Sequence, residues 1–179
     1  MGPRDGLPVL RGHHVLLRPI ERADLDHLMA IRTEPSVAQW WGNVDPASPE
    51  REFLDEETAT FVIEPAGRRD EEGEIAGCVQ FTEETEPAYR HAAIDIFLGA
   101  SWQGRGLGRD ALRTLARHLF DDRGHHRLTI DPAAANERAI RTYAAVGFRP
   151  VGVLRDYERG RDGTWHDGLL MDLLAGELT

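Results

Sequence analysis

A glycine-rich turn is the feature that most constrains the fold of this chain. Residues 103–108 read Gln-Gly-Arg-Gly-Leu-Gly, with glycine at every second position. The apolar run at 92–98 predicts a strand before the turn, and the pattern from 107 onward predicts an amphipathic helix after it. The inner face of that helix would carry Leu107, Ala111, Leu112, Leu115, Ala116 and Leu119. The chain must therefore turn sharply from strand to helix. Because glycine has no side chain, the backbone of this turn is accessible to a ligand.

This turn is suited to binding a phosphate, although it completes neither common nucleotide motif. The first N–H groups of a helix have no intrahelical partner and carry the positive end of its dipole. Arg109 directly follows the third glycine, so G-x-G-x-x-G is not completed, and no Gly-Lys-Ser/Thr ending is present. Rossmann dehydrogenases and P-loop NTPases are therefore disfavoured. Taken alone, the turn also fits a plain tight connection between strand and helix.

The rest of the pattern predicts one mixed α/β domain. Further strands are expected at 14–19, 60–63, 75–81, 127–131, 151–157 and 165–173, and helices at 23–31 and 137–146, with a helix start at 48–50. A charged connection at 65–73 would join two of the strands into a hairpin. Asn136 would cap the later helix, and Gly147 would end it. Residues 1–12 are expected to form a flexible tail and residues 13–179 a single domain.

Negative charge is concentrated in one segment. The formal net charge is −10, and all 21 basic residues are arginine. Residues 45–86 hold 14 acids against three arginines, a balance of −11, which leaves +1 for the remainder. Nucleic acids and anionic membranes call for a basic surface, so neither is an expected partner. The segment would suit a cationic ligand or simply face solvent, as we expect for its part at 70–74.

The cysteine content and the apolar runs limit the remaining classes. Cys78 is the only cysteine, so no intramolecular disulfide and no thiolate metal site is expected. It lies in an apolar run, where a buried packing role is expected. The first residues lack the apolar core of a signal peptide, and no apolar run approaches the roughly 18 residues of a membrane span. We therefore expect a cytoplasmic protein.

Two motifs together resemble the GNAT acetyltransferase superfamily. The Q-x-x-G-x-G pattern at 103–108 is similar to its acetyl-CoA pyrophosphate loop. The N-x-x-A-x-x-x-Y-x-x-x-G-F pattern at 136–148 is similar to its second signature, and one helix and one strand separate the two. The resemblance covers about residues 14–174. It implies the GNAT fold, a mixed and mostly antiparallel sheet with splayed central strands, flanked by helices.

The resemblance also implies a cosubstrate, acetyl-CoA, and no metal. Its pyrophosphate would be held at Gly104, Arg105, Gly106, Leu107, Gly108 and Arg109, with the two arginines adding positive charge, and Gln103 belongs to the same motif. Main-chain groups of Ile96, Phe97 and Leu98 would pair with the pantetheine arm, and one N–H would polarise the thioester carbonyl. Asn136 would contact the cofactor arm, and Tyr143 would protonate the departing thiolate. From the residues alone, Tyr143 also fits a core tyrosine and Asn136 a simple helix cap.

Asp95 is the candidate proton acceptor. An amine must be neutral when it attacks, so the site needs a carboxylate or a water chain to take its proton. Asp95 interrupts the apolar run at 92–98, eight residues before Gln103. A carboxylate in such a strand is costly unless it is paired or faces solvent. An ordinary alternating strand with Asp95 on its solvent face is the alternative.

Several segments resemble the aminoglycoside 6′-N-acetyltransferases more closely. They lie at 40–42, 83–87, 94–95 and 129–141. By this resemblance, Asp95 would be the base or orienting carboxylate for the 6′-amine. The other ammonium groups of the acceptor would be bound by Asp131 and by one of Glu83, Glu84 or Glu86. The side chains of Trp40 and Trp41 would stack on the aminocyclitol rings, although a tryptophan pair after a helix also suits simple packing.

Other features keep the acceptor open. The loop before Asp95 is about two residues longer than in that family and lacks its tryptophans. Residues 155–171 look more like the acetyltransferases that modify ribosomal-protein N-termini, and a non-catalytic acyl-CoA sensor is a third possibility. The intact motifs favour an enzyme, and the favoured acceptor is a polycationic small molecule. Transfer would be direct, because Cys78 lies away from the motifs, and the chain would act as a monomer or homodimer.

Overall fold

The structure, a computed structural model, describes residues 6–66 and 73–179. Eight strands in these ranges form one sheet, in the order β1-β2-β3-β4-β5-β6-β8-β7. They are β1 (Leu10–Arg11), β2 (Val15–Pro19), β3 (Thr58–Pro65), β4 (Gly77–Glu84), β5 (His91–Leu98), β6 (Arg127–Ile130), β7 (Arg149–Arg159) and β8 (Trp165–Leu174). The α-helices of the same ranges are α1 (Leu25–Arg32), α2 (Pro35–Ala38), α3 (Pro49–Phe53), α4 (Leu107–Arg117) and α5 (Glu137–Ala144). Most of the predicted connection at 65–73, including Asp70, and residues 1–5 of the predicted tail lie outside the described residues.

The sheet is mixed and mostly antiparallel, which confirms the predicted fold class. β2, β3, β4 and β5 pair antiparallel in sequence order, and the hairpin of β3 and β4 is present as predicted. β5 and β6 run parallel, and β6, β8 and β7 are again antiparallel neighbours. The parallel pair follows from α4, because a helical crossover brings β6 back alongside β5 in the same direction.

β5 and β6 separate soon after they meet. Their register contains only the pairs Ala92 with Leu128 and Ala93 with Thr129. Within the described residues, the part of β5 beyond Ala93 therefore has a strand partner in β4 but none on the side of β6. This gap supplies the splay that the resemblance implies and opens one edge of β5 to a ligand.

Apolar residues cover both faces of the sheet. On one face, α4 and the helical turn that continues it at His118–Asp122 bury the predicted stripe of Leu107, Ala111, Leu112, Leu115, Ala116 and Leu119. On the other face, α1 and α3 pack against the sheet through Leu28 and Phe53. Cys78 is fully buried in this second cluster, which confirms its predicted packing role, and burial raises the pKa of its thiol. Among residues 6–66 and 73–179, no helix is long and apolar enough to cross a membrane.

The fold begins before residue 13. Leu10 and Arg11 pair with Leu17 and Leu16, so that β1 covers the edge of β2. Asp110 of α4 then accepts hydrogen bonds from the backbone N–H groups of His14 and Val15. The end of the predicted tail is thus part of the sheet.

Candidate active site

A cleft of about 1120 Å³ opens where β5 and β6 separate. β5, the start of α4, the loop from β6 into α5, the segment after α2 and the end of β7 form its walls. The predicted site residues that line it are Trp40, Trp41, Asp95, Ile96, Phe97, Leu98, Gln103, Gly104, Gly106, Gly108, Arg109, Asp131, Asn136 and Tyr143. The fold therefore brings both motifs and the candidate base into one cavity.

The glycine-rich turn has the backbone conformation that its sequence suggests. Gly104 and Gly106 have φ values of +76° and +83°, in the left-handed region that favours glycine. A Cβ on Gly106 would meet nothing within 4 Å, so conformation rather than space requires glycine there. A Cβ on Gly108 would lie 3.3 Å from the Leu98 side chain. The first-turn N–H groups of α4 follow this turn without intrahelical acceptors, an arrangement that stabilises a bound anion.

Gln103 fixes the turn to its neighbours. Its Nε2 donates to the Leu98 carbonyl at 2.8 Å, and its Oε1 accepts from Arg138 Nη1 at 2.9 Å. Arg138, which Gln103 holds in this way, and Arg109 both border this end of the cleft. The Arg105 guanidinium instead lies over the Trp102 ring, 4.6 Å from its centroid, outside the lining of the cleft.

Leu107 also departs from the predicted lining. Its side chain belongs to the apolar core beneath α4. Only its backbone remains available to a phosphate, because the apolar side chain is buried on the inner face of the helix.

Asn136 and Tyr143 stand on opposite ends of α5. Asn136 Oδ1 accepts from the Ala139 N–H at 3.1 Å, which confirms the predicted cap, and the residue also borders the cleft. Tyr143 is buried at the cleft wall. Burial, and then the charges of Asp95 and Asp131, raise the pKa of the Tyr143 phenol. The group is thus protonated and able to donate.

Asp95 lies on the face of β5 opposite to Ile94 and borders two cavities. One is the cleft, and the other is a smaller cavity of about 240 Å³ that Glu52 and Gln80 also line. Solvent reaches the carboxylate through these openings, but protein atoms on its other sides still hinder solvation of the charged form. This desolvation, followed by the charges of Asp131, Glu158 and Glu52, raises the pKa of Asp95 to about 6.

The two tryptophans occupy different environments within the cleft wall. Trp41 packs edge-on against Phe97, with ring centroids 5.5 Å apart, and the Arg32 guanidinium lies 4.9 Å from its ring centroid. Trp41 is therefore a packing anchor that also faces the cleft. Trp40 borders the same cavity and is half-buried.

Glu83 and Glu84 do not occupy the predicted acceptor positions. The Glu83 carboxylate accepts from Arg123 Nε at 2.8 Å and pairs with His125 Nε2 at 2.6 Å, and it is 8% exposed. Glu84 is exposed and accepts from the N–H of Glu86. The described lining of the cleft includes neither residue, because both lie toward the end of β4 that pairs with the start of β5. The carboxylate that the acidic segment places near Asp95 is that of Glu52.

Tyr157 and Glu158 are lining residues that the sequence pattern does not identify. Glu158 Oε1 accepts from the Gly42 N–H at 2.6 Å, and an interaction with the Asp131 carboxylate raises the pKa of the Tyr157 phenol. Alternation along residues 151–157 predicts a strand but not which of its side chains reach the cleft. The only sequence signal at this position was the likeness of 155–171 to another group of acetyltransferases.

The cleft is electrically divided. Arg109 and Arg138 border the end formed by the turn, where Glu137 is paired with Arg141, whereas Asp95, Asp131 and Glu158 border the end beneath β7. An anion is favoured at the first end and a cation at the second, because each is attracted by the charges that line it. A reaction between a phosphate-bearing donor and a cationic acceptor fits this division.

Comparison with known proteins agrees with the fold and the motifs. The family described as an acetyltransferase (GNAT) domain matches residues 14–149. Spermidine N(1)-acetyltransferase of Escherichia coli is 28% identical over 150 residues, which cover 79% of this chain and 76% of the relative. Aminoglycoside N(6′)-acetyltransferase type 1 of Klebsiella pneumoniae is 31% identical over 155 residues, which cover 78% of this chain and 76% of the relative. The alanine N-acetyltransferase of ribosomal protein uS5 from Escherichia coli is 28% identical over 109 residues, which cover 61% of this chain and 56% of the relative.

Solved structures show the same architecture. RimJ of Mycobacterium smegmatis in complex with CoA-disulfide has a TM-score of 0.77 and 26% identity, and the match covers 96% of this chain and 88% of RimJ. Spermidine N-acetyltransferase of Vibrio cholerae, in complex with CoA and spermine, has a TM-score of 0.76 and 22% identity. The match covers 92% of this chain and 97% of that protein. Together with the turn and its cleft, the family match shows that the chain belongs to the GNAT acetyltransferases, enzymes that use acetyl-CoA.

Proposed function

We propose that this enzyme transfers the acetyl group of acetyl-CoA directly to a primary amine of a polycationic small molecule, with the 6′-amine of an aminoglycoside as the first candidate. The observation that carries the proposal is the acidic end of the cleft. Asp95, Asp131 and Glu158 border it, and the charges of the last two act on the first. An acceptor with several ammonium groups would neutralise this end, whereas an uncharged or anionic acceptor would leave the carboxylates close together without counterions.

The other end of the cleft fits acetyl-CoA. When bound, the thioester supplies an activated acetyl group. The N–H groups at the start of α4 would hold the pyrophosphate, with Arg109 and Arg138 beside them. The free edge of β5 at Ile96, Phe97 and Leu98 would offer backbone partners to the pantetheine arm. Gly104 and Gly106 support this assignment, since they keep the turn in a conformation that other residues adopt at a cost.

Asp95 and Tyr143 would handle the two protons of the reaction. Asp95 accepts the proton that the acceptor amine loses as its nitrogen bonds to the carbonyl carbon. Tyr143 donates its phenolic proton to the sulfur as the carbon–sulfur bond breaks. Because Asp95 also borders the smaller cavity beside Glu52, its proton has a route to solvent besides the cleft.

Release of CoA thiol with different acceptors tests the proposal. We expect turnover with kanamycin-type aminoglycosides or spermidine, and little with peptides that begin with alanine. Fast acetylation of such peptides, together with no reaction on either class of polycation, would contradict the proposed acceptor. A protein that binds acetyl-CoA tightly but turns over no amine would instead be an acyl-CoA sensor.

N-terminal acetylation of a ribosomal protein is the second candidate. The likeness of residues 155–171 to those enzymes and the uS5-alanine relative favour it. The acidic end of the cleft favours the small polycation, because a peptide N-terminus brings only one ammonium group to three carboxylates.

A further inference from the structure

β7 contains two additional residues where it borders the cleft. Leu154 pairs with Gly168 of β8, and the next pair is Glu158 with His166. Four steps along β7 thus correspond to two steps along β8, which defines a bulge. Asp156, within the bulge, has a φ of +48°, the left-handed region that a residue with a side chain seldom adopts. Its N–H donates to Asp167 Oδ1 at 2.9 Å, which fixes the bulge to β8.

The bulge places two consecutive side chains in the same cavity. In a regular strand, neighbouring residues point to opposite faces of the sheet. Tyr157 and Glu158 nevertheless both line the cleft. A regular β7 would direct only one of these two side chains into the cleft. The two additional residues of the bulge therefore bring both Tyr157 and Glu158 to its acidic end.

Tyr157 is seated across β8. A Cβ on Gly168 would lie 2.8 Å from Tyr157 Cδ1, so only glycine leaves room for the ring there. Beyond Gly168 lies the loop after β6, which β8 holds through the hydrogen bond from the Leu169 N–H to the Pro132 carbonyl, 2.8 Å long. The Tyr157 hydroxyl faces Asp131 in this loop, and its interaction with that carboxylate raises the pKa of the phenol. The phenol and the Asp131 carboxylate therefore lie together at this end of the cleft.

Glu158 is oriented from the opposite wall. Its Oε1 accepts from the N–H of Gly42, directly after Trp40 and Trp41. This hydrogen bond joins the end of β7 to the tryptophan segment across the mouth of the cleft. It fixes the carboxylate without supplying a positive charge to neutralise it.

We propose that Tyr157 and Glu158 select acceptors that carry a second ammonium group. This inference rests on the proposed function and deepens it: Asp95 serves the reacting amine, while Glu158 binds a second ammonium group of the same molecule. Tyr157 is a positioning residue, which holds Asp131 toward the same end. The spacing between these carboxylates then decides which polycations fit.

Binding to the enzyme saturated with CoA provides a readout that needs no turnover. Spermidine and butylamine are the probes, since both present a primary ammonium group and only spermidine carries others. We expect Glu158→Gln to weaken spermidine binding about tenfold, the range for loss of a charged hydrogen-bond partner, and to leave butylamine unchanged. Glutamine keeps the oxygen that accepts from Gly42, so the change isolates the charge. Glu57→Gln is the matched control, on an exposed residue outside both cavities.

A second variant keeps the inference testable if Glu158→Gln fails to fold. Tyr157→Phe removes the hydroxyl that faces Asp131 and should weaken spermidine binding about threefold, again without effect on butylamine. Gly168→Ala should act in the same direction, because the added Cβ displaces the ring.

The outcomes separate this inference from the proposed function. Equal spermidine affinity in wild type and Glu158→Gln overturns the inference, even if the wild type acetylates polycations rapidly. An equal loss of affinity for spermidine and butylamine also overturns it, because Glu158 would then act on the ammonium group that both molecules share. Weaker spermidine binding in Glu158→Gln, in an enzyme that acetylates neither spermidine nor a kanamycin-type aminoglycoside, supports the inference and contradicts the function.

Discussion

Asp95 combines two properties that a proton acceptor in this cleft needs. It borders the cavity that Tyr143 also lines, and desolvation together with nearby carboxylates raises its pKa to about 6. A base with a pKa near the working pH is ionised in a large share of the molecules, accepts a proton readily and can release it after the reaction. The neighbouring charges that raise the pKa are also those that would attract a cation, so an acceptor that neutralises them should lower it again.

Asp95→Asn should reduce kcat by about 100-fold or more, in the range expected for loss of a general base. Acetyl-CoA affinity should hardly change, because the turn at 103–108 lies at the other end of the cleft. Steady-state kinetics and calorimetry measure the two quantities. An unaffected kcat would remove Asp95 from the mechanism.

The same residue predicts a pH dependence. Asp95 must be ionised to accept a proton, so kcat/KM should fall as the pH drops through about 6. Above that pH the rate should not depend on this group. A profile of kcat/KM against pH, at constant ionic strength, tests the expectation, and a plateau that continues well below pH 6 would contradict it.

At the scale of elements, the strand–turn–helix unit of β5 and α4 could be predicted from sequence, and the bulge of β7 could not. The unit is local: glycines at alternate positions separate an apolar run from an amphipathic one, so its geometry follows from neighbouring residues. The bulge depends on pairing with β8, on Gly168 and on Asp167, which come later in the chain. For the same reason the sequence suggests an acidic acceptor site but assigns Glu83 to it. Its partners, Arg123 and His125, are distant in sequence and near in space.

Gly106→Ala should weaken acetyl-CoA binding. Alanine adopts the left-handed conformation at a cost of about 1 kcal/mol, and relaxation of that strain would turn the N–H groups of the turn away from the phosphate. Gly124→Ala is the matched control, since Gly124 has a φ of +71°, no neighbour within 4 Å of an added Cβ, and a position outside the cleft. Both variants should lose similar unfolding free energy, but only Gly106→Ala should raise the Kd for acetyl-CoA.

At the scale of the whole molecule, the net charge of −10 divides into parts with different roles. Some of the acids are paired inside the fold, as Glu83 is with Arg123 and His125. Others, such as Glu57, are exposed. The acidic end of the cleft is built mainly from residues outside the acidic segment at 45–86, with Glu52 as its nearby member. The charge of the segment is therefore consistent with the cationic acceptor that we propose, but it does not identify the residues proposed to bind that acceptor.

The cluster of Glu83, Arg123 and His125 predicts that acid lowers the stability of the fold. Burial lowers the pKa of His125 below that of an unfolded histidine. Burial alone would raise the pKa of Glu83, but its hydrogen bonds to Arg123 and His125 outweigh that effect and lower it. Both groups bind protons more readily when unfolded. The contribution of His125 is thus present above about pH 6.5 and declines as the pH falls below it, and that of Glu83 is lost at lower pH.

Thermal unfolding at about pH 7.5 and about pH 5.5 measures this dependence. His125→Gln should reduce the difference in Tm between the two conditions. His126→Gln changes the adjacent, exposed histidine and should leave the difference as in the wild type. An identical pH dependence in all three proteins would contradict the assignment to His125.

The early separation of β5 and β6 has a consequence for motion. The five strands β1 to β5 and the three strands β6, β8 and β7 meet, within the described sheet, through only two residue pairs. Few interstrand hydrogen bonds therefore oppose bending at the gap between these two blocks. A cosubstrate that hydrogen-bonds to the free edge of β5 would act as a brace between the two blocks. Hydrogen–deuterium exchange should then slow at residues 96–98 on addition of acetyl-CoA and also in β6, which the ligand need not touch. Opening of the sheet between β5 and β6 and binding of acetyl-CoA would then be coupled, and the enzyme would be most rigid with acetyl-CoA bound.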